Sequence, residues 1–194
     1  MKVGIIQYAG GNPKSVEGAL QQLGIETVLS SDLAVLSTCD RLIFPGVGAA
    51  PSAKKGLQEV GLWSFIQQYE KPFLGICLGM QLLFESTSEG NVEGLKKLEG
   101  SVDVLQGPLK VNMGWRQVTM DSSEMFHGLE PDTMFYFVHQ FGNLQSANAV
   151  SSSNFGADFT AAAMKDNFWG VQFHPEKSGK AGVHILKNFC AWKG

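Results

Sequence analysis

Two hydrophobic periods alternate along the first half of the chain, and that alternation limits the fold more than any other feature. Short β-rich runs at Lys2 to Ile6, Thr27 to Leu29, Arg41 to Phe44 and Phe73 to Ile76 are separated by stretches with apolar residues at helical spacing. Asn12-Pro13 predicts a helix start, because asparagine caps helices and the N–H that proline lacks is not needed in the first turn. Val16, Ala19, Leu20 and Leu23 then recur at helical spacing, and Gly24 closes the helix. A second helical stretch runs through Leu57 and Val60 into Leu62, Trp63, Phe65 and Ile66. This rhythm predicts an α/β fold with a mostly parallel central sheet flanked by helices. Ligands of such sheets bind beyond the carboxyl ends of the strands. The positions after Ile6, Phe44 and Ile76 are therefore the ones to inspect.

The second half changes character. Trp115 to Met120, Phe135 to Val138, Thr160 to Met164 and Phe168 to Phe173 read as strands joined by short polar or Gly/Asn loops. Such strands add antiparallel hairpins to the parallel core. Segments 86–101 and 143–158 read as loops, and Val183, Leu186 and Phe189 mark a closing helix. The 194 residues, 44% of them hydrophobic, suit a single domain over 1–194 with a sizeable core.

Charge and cysteine content narrow the function classes. A net charge of -3, without a Lys/Arg run longer than a pair, does not favour nucleic acid. No apolar run approaches the ~20 residues of a membrane span, and the N-terminal run is too short for a secretory signal. Three cysteines (Cys39, Cys77 and Cys190) without a CxxC pair point away from a disulfide framework or a metal site. A cytoplasmic location, where thiols stay reduced, is the expectation.

Gly75-Ile76-Cys77-Leu78-Gly79 lies between a strand and an apolar helix, Met80 to Phe84. The spacing is the thiol version of a hydrolase nucleophile elbow. A sharp strand-to-helix turn strains the nucleophile's backbone, and glycines on either side remove collisions. Cys77 would sit at a helix N-terminus, which favours thiolate, and the N–H of Leu78 would be free to donate to an oxyanion. The alternative is a buried, inert cysteine, the reading that suits Cys39 and Cys190.

Of the four histidines, His127 and His184 read as ordinary turn and helix residues. His174 ends a strand and is followed by Pro175-Glu176. Proline holds the residue before it extended, so His174 and Glu176 point to one side. A carboxylate beside an imidazole fixes its tautomer and stabilises the imidazolium formed when it takes a thiol proton. A solvated loop ion pair fits the same spacing. Pro45-Gly46-Val47-Gly48 follows the third strand and breaks the nucleotide-loop patterns. It can point a backbone N–H into the site, or be a plain turn.

Together GICLGMQ and FHPE resemble the triad-type (class I) glutamine amidotransferases. More narrowly, PGVG at 45–48, MGW at 113–115, YFVH at 136–139, KDNFWGVQFHPEKSG at 165–179 and LKNF at 186–189 resemble the glutaminase subunits of imidazole glycerol phosphate synthase. The resemblance covers essentially the whole chain and implies the class I amidotransferase fold. It implies that Cys77 attacks the glutamine carboxamide, that His174 oriented by Glu176 moves the proton, and that the N–H groups of Val47 and Leu78 hold the oxyanion. It further implies that Gln81 and Glu89 contact L-glutamine, with Gly46, Gly48 and the backbone of His139, Gln140 and Phe141 around its pocket. No cofactor or metal is implied. The implied partner is a (βα)8-barrel cyclase that receives the ammonia in a heterodimer, with Asn12, Trp115, Tyr136 and Lys177 facing it. Val111 and Asn112, before MGW, and the turn Gln7-Tyr8-Ala9 depart from the family pattern. They leave open a paralogous glutaminase serving another acceptor, such as surface-sugar amination.

Overall fold

The computed structural model describes residues 1–8 and 12–193; Ala9, in the departing turn, lies outside them. The first half runs β1 (Lys2–Ile6), α1 (Pro13–Gln21), β2 (Glu26–Ser30), α2 (Leu33–Ser37), β3 (Arg41–Gly46), α3 (Ala50–Glu59), α4 (Leu62–Gln67), β4 (Phe73–Cys77) and α5 (Leu78–Leu83). The next strands are β5 (Ser86–Thr87), β6 (Val92–Glu93), β7 (Ser101–Val104), β8 (Asn112–Gln117) and β9 (Thr119–Met120). The chain continues through β10 (Met134–His139), β11 (Phe141–Gly142), β12 (Ala149–Asn154), β13 (Asp158–Lys165), β14 (Phe168–Val171) and α6 (Gly179–Ala191).

Among the described residues the main sheet has the order β2-β1-β3-β4-β14-β13-β12-β9. The pairs from β2 through to β14 are parallel, and β13, β12 and β9 continue antiparallel. Successive strand residues face opposite sides of the sheet. Val3 and Ile5 of β1, Ile43 of β3 and Leu74 and Ile76 of β4 therefore pack with α1 and α6. Their neighbours Ile6, Leu42, Phe44 and Phe73 pack on the other side with α3, α4 and α5. This is the α/β fold expected, with helices on both faces.

Three expectations are corrected. The helical stretch through Leu57 to Ile66 is two helices, because Gly61 (φ 75°) takes a left-handed conformation that breaks it. Segments 86–101 and 143–158 are not plain loops: the first holds β5 and β6, the second holds β12. Two-residue strands are too short to show a period of two. Asn12 occupies the helix N-cap position, yet its side chain makes no capping bond and donates instead to Ser15 Oγ at 2.7 Å.

Outside the main sheet, β8 and β10 form an antiparallel ribbon. Its register sets Trp115 opposite Tyr136 and Met113 opposite Val138. The order β11-β7-β5-β6 forms a small second sheet that continues from the ribbon's end.

Candidate active site

Strand register assembles the site. In the β3–β4 pairing Gly46 lies opposite Cys77, which places Val47 and Gly48 beside the thiol. On the other side Val171 of β14 lies opposite Ile76, so Gln172, Phe173 and His174 emerge next to Cys77. All three segments leave the same carboxyl edge of the sheet.

Cys77 has φ 53° and ψ -108°, a conformation L-residues rarely adopt. The surrounding glycines make it possible by allowing close approach. A Cβ on Gly79 would lie 2.1 Å from the Phe44 carbonyl oxygen, and one on Gly75 would lie 2.7 Å from backbone atoms of Gly79. A Cβ on Gly46 would lie 2.8 Å from the Gly79 nitrogen. The elbow is thus closed on itself at Gly75 and wedged against the backbone of β3. Gly48, at φ 107°, carries the turn after β3.

His174 Nδ1 and Glu176 Oε1 are 2.8 Å apart, and the two side chains are only 1% and 3% exposed. The pair sits where β14 ends in a 3₁₀ turn, Pro175–Lys177. Ser178 stitches this turn to the ribbon. Its hydroxyl donates to the His174 carbonyl at 2.7 Å and accepts from the Tyr136 N–H at 2.9 Å. The His174 N–H donates to the Tyr136 carbonyl at 2.9 Å. His174 Nε2 is buried and unpartnered, so it is the ring atom free for proton transfer. Burial opposes the charge on His174, but Cys77 and Glu176 outweigh it and raise its pKa to about 10. The arrangement therefore favours an imidazolium at His174, set between the Cys77 sulfur and the Glu176 carboxylate.

Cys77 Sγ accepts from Gln172 Nε2 at 3.6 Å and lies 3.8 Å from the Val138 carbonyl. Gln172 Oε1 accepts in turn from Gln81 Nε2 at 3.1 Å, and Gln81 Nε2 also donates to the Phe141 carbonyl at 2.8 Å. Both amide hydrogens of Gln81 are thereby used, leaving Oε1 able only to accept.

A cavity of about 210 Å³ opens over the thiol, lined by Val47, Gly48, Cys77, Leu78, Gln81, Glu89, Val138, His139 and Phe141. A larger hollow of about 700 Å³ along Asp121, His127 and Trp192 holds none of the elbow or triad residues. Eight of the cavity's nine lining residues carry a sequence-stated expectation; Val138 does not. Gly46 and Gln140, expected around the glutamine pocket, do not line this cavity: Gly46 is the last residue of β3, and Gln140 lines a separate surface hollow with Val104 and Lys110. Glu89 enters from a 3₁₀ turn, and its Oε2 accepts from the Ala50 N–H at 2.9 Å. Among the described residues Glu89 is the one carboxylate on the cavity wall.

Of the four residues expected at a partner surface, three come together. The Trp115 and Tyr136 rings lie 6.1 Å apart edge to face, and Lys177 Nζ is 6.0 Å from the Tyr136 ring centre. Asn12 is the N-cap residue of α1, a helix that packs on the turn carrying Lys177. Trp115 and Met113 are 51% and 59% exposed, an apolar face on the ribbon that also forms the cavity wall through Val138 and His139. Reading the residues in order missed Gln172, Val138 and Ser178. Gln172 and Ser178 stand inside FWGVQFHPEKSG and could have been flagged by their closeness to His174.

Comparison with known proteins gives the family. Residues 12–192 match the family profile described as "Glutamine amidotransferase class-I". The chain is 43% identical over 194 residues to "Imidazole glycerol phosphate synthase subunit HisH" of Bacteroides fragilis, covering 97% of this chain and 98% of that protein. It is 42% identical over 193 residues to the protein of the same description from Haemophilus influenzae, covering 97% and 96%. Among solved structures, PurLQS from Thermotoga maritima superposes with a TM-score of 0.72 at 18% identity, covering 98% of this chain and 97% of that one. A structure described as a glutamine amidotransferase superposes with a TM-score of 0.73 at 18% identity, covering 97% and 98%. The structural likenesses bear on the fold alone.

Proposed function

The chain belongs to the class I glutamine amidotransferases, and from that premise we propose that it is the glutaminase subunit of an imidazole glycerol phosphate synthase, releasing ammonia from L-glutamine for a cyclase subunit. The observation that carries the reading is the Cys77–His174–Glu176 arrangement beside a cavity whose one carboxylate is Glu89. An anionic wall selects the α-ammonium end of an amino acid. Gln81 Oε1, able only to accept, suits the same ammonium or the carboxamide NH2.

In the reaction the Cys77 thiolate attacks the carboxamide carbon of glutamine. The C–N bond breaks as His174 gives its Nε2 proton to the leaving ammonia, and a glutamyl thioester remains on Cys77. Water then attacks that thioester, with His174 taking its proton and Glu176 holding the imidazolium, and glutamate leaves. The N–H groups of Leu78 and Val47 stabilise the oxyanion of each tetrahedral intermediate; one such donor is worth ~3 kcal/mol. The PGVG turn therefore controls activity, and its rotation is the switch through which the partner acts.

The partner is a (βα)8-barrel cyclase bound as a heterodimer through the face of Trp115, Tyr136 and Lys177, with Asn12 at its margin. An exposed aromatic pair flanked by a lysine suits a docking anchor. The relatives' shared name favours this acceptor over sugar amination. Three free thiols suit a cytoplasmic protein; among the described residues no helix is long and apolar enough to cross a membrane.

The test is glutamate release by the complex with the cyclase and its nucleotide ligand, for wild type and Cys77→Ala. Wild-type turnover that vanishes in Cys77→Ala is expected. Assembled complexes equally inactive in both forms would sink the catalytic reading, and failure to rescue a histidine auxotroph lacking this subunit would sink the pathway reading.

A further inference from the structure

Behind the cavity wall runs a chain of buried hydrogen bonds in which each group's role is dictated by its neighbour. It begins at Arg116 of β8, half-buried against the Phe155 ring at 4.8 Å. A guanidinium can only donate. Arg116 Nε donates to an Asn112 side chain that is completely buried, so the atom it meets is the carbonyl Oδ1. The amide Nδ2 is thereby turned to His139 Nε2, 2.9 Å away. Because Nδ2 donates, Nε2 must accept, and the ring's single proton is on Nδ1. That proton points at the Phe141 carbonyl, 2.8 Å away, which can only accept. The same carbonyl holds Gln81 Nε2 at 2.8 Å, and Gln81 reaches Cys77 through Gln172.

A donor-only group at one end and an acceptor-only group at the other leave the chain one consistent arrangement. We propose that Asn112 is a positioning residue for the cavity: by donating to His139 it keeps that ring neutral, with its proton on Nδ1 and aimed at the Phe141 carbonyl that holds Gln81. Burial, the first cause, and the positive charges of His174 and Arg116 push the His139 pKa down to about 4, against the opposing pull of the Phe141 carbonyl. A neutral ring also keeps a second positive charge away from His174 and from a cationic substrate end. Asn112 touches none of the reacting atoms and acts through His139.

The proposal rests on the glutaminase reading for its kinetic arm only; its spectroscopic arm needs no substrate. In wild type, ¹⁵N-detected NMR of the histidine rings is expected to show His139 neutral with the proton on Nδ1 between pH 5.5 and 8, a window set by its depressed pKa. Asn112→Asp keeps the shape and replaces the donor by a charged acceptor, so His139 is expected to be protonated on both nitrogens at pH 7. In the complex with the cyclase, its KM for glutamine is expected to rise by at least about tenfold, with kcat changed less. Asn112→Leu removes the donor and adds no charge, so the ring stays neutral and KM rises about fivefold, the worth of one neutral buried hydrogen bond. A neutral His139 ring in Asn112→Asp overturns the proposal. So does an unchanged KM in Asn112→Leu, or a rise there equal to that of Asn112→Asp. Absence of wild-type glutamine hydrolysis would instead strike the function reading and leave the ring-charge result standing.

Discussion

Replacing Glu176 by glutamine separates the charge of the third triad member from its shape. The carboxylate contacts His174 Nδ1 through Oε1 at 2.8 Å, whereas Oε2 is buried without a partner. The amide nitrogen of a glutamine can take the place of Oε2 without breaking any existing bond, and its oxygen can still accept from Nδ1. What disappears is the negative charge. A hydrogen bond to a charged group is worth about 1.5–3 kcal/mol, and exposures of 1% and 3% put this pair at the upper end. At about 1.4 kcal/mol per decade, the expected loss in kcat is roughly a hundredfold. KM for glutamine should stay within a factor of about two, because neither His174 nor Glu176 lines the cavity. The assay is steady-state glutamate release by the assembled complex at saturating cyclase ligand, with thermal melts confirming that Glu176→Gln is folded. If the amide turned its NH2 to Nδ1, the ring proton would move to Nε2 and the loss would grow. A kcat within threefold of wild type, or a loss confined to KM, refutes the assignment of Glu176 as the group that holds the imidazolium.

Cys77→Ala should abolish hydrolysis and also lower the His174 pKa from about 10, since the thiol is one of the two groups that raise it; an NMR titration that finds no change would break the Cys77–His174 coupling. Gly79→Ala places a methyl 2.1 Å from the Phe44 carbonyl oxygen, so β3 and the elbow must separate. A drop of about 1–3 kcal/mol in denaturant unfolding is expected with near-complete loss of turnover, and a fully active variant would contradict the close approach. The two buried histidines set the pH dependence of stability in opposite senses. His174, raised to about 10, contributes fully below its unfolded value near 6.5 and less as pH climbs through 10. His139, lowered to about 4, contributes fully above 6.5 and less as pH falls through 4. Their joint contribution peaks near pH 6.5, and His139→Gln should flatten the acid side of a urea-midpoint profile; an unchanged acid limb would show that His139 titrates freely.

The elements that could be read in order along the chain are those with local causes. Helix α1 follows from proline at its first turn and from Val16, Ala19 and Leu20 at helical spacing, all buried as expected. The elbow is legible because a strained nucleophile needs small neighbours, and Gly75 and Gly79 flank Cys77 within five residues. His174 and Glu176 are legible together because Pro175 holds the backbone extended between them. Short strands β5 and β6 were illegible, since two residues carry no periodicity, β5 pairs with β7 from farther along the chain, and β6 pairs only with β5.

That Cys77 stands between glycines at a strand-to-helix turn, and that His174 and Glu176 share one side of the segment around Pro175, was readable from the sequence alone. Which groups surround that thiol was decided only by tertiary structure. Gln172 reaches Sγ because β14 pairs with β4 in one register, and a one-residue slip would turn it to the opposite face. Asn112 reads in the sequence as a departure before MGW, and only the β8–β10 pairing, which sets it opposite His139, gives it a partner. Register is fixed by burial summed over a whole sheet, so no local pattern around Gln172 or Asn112 encodes it.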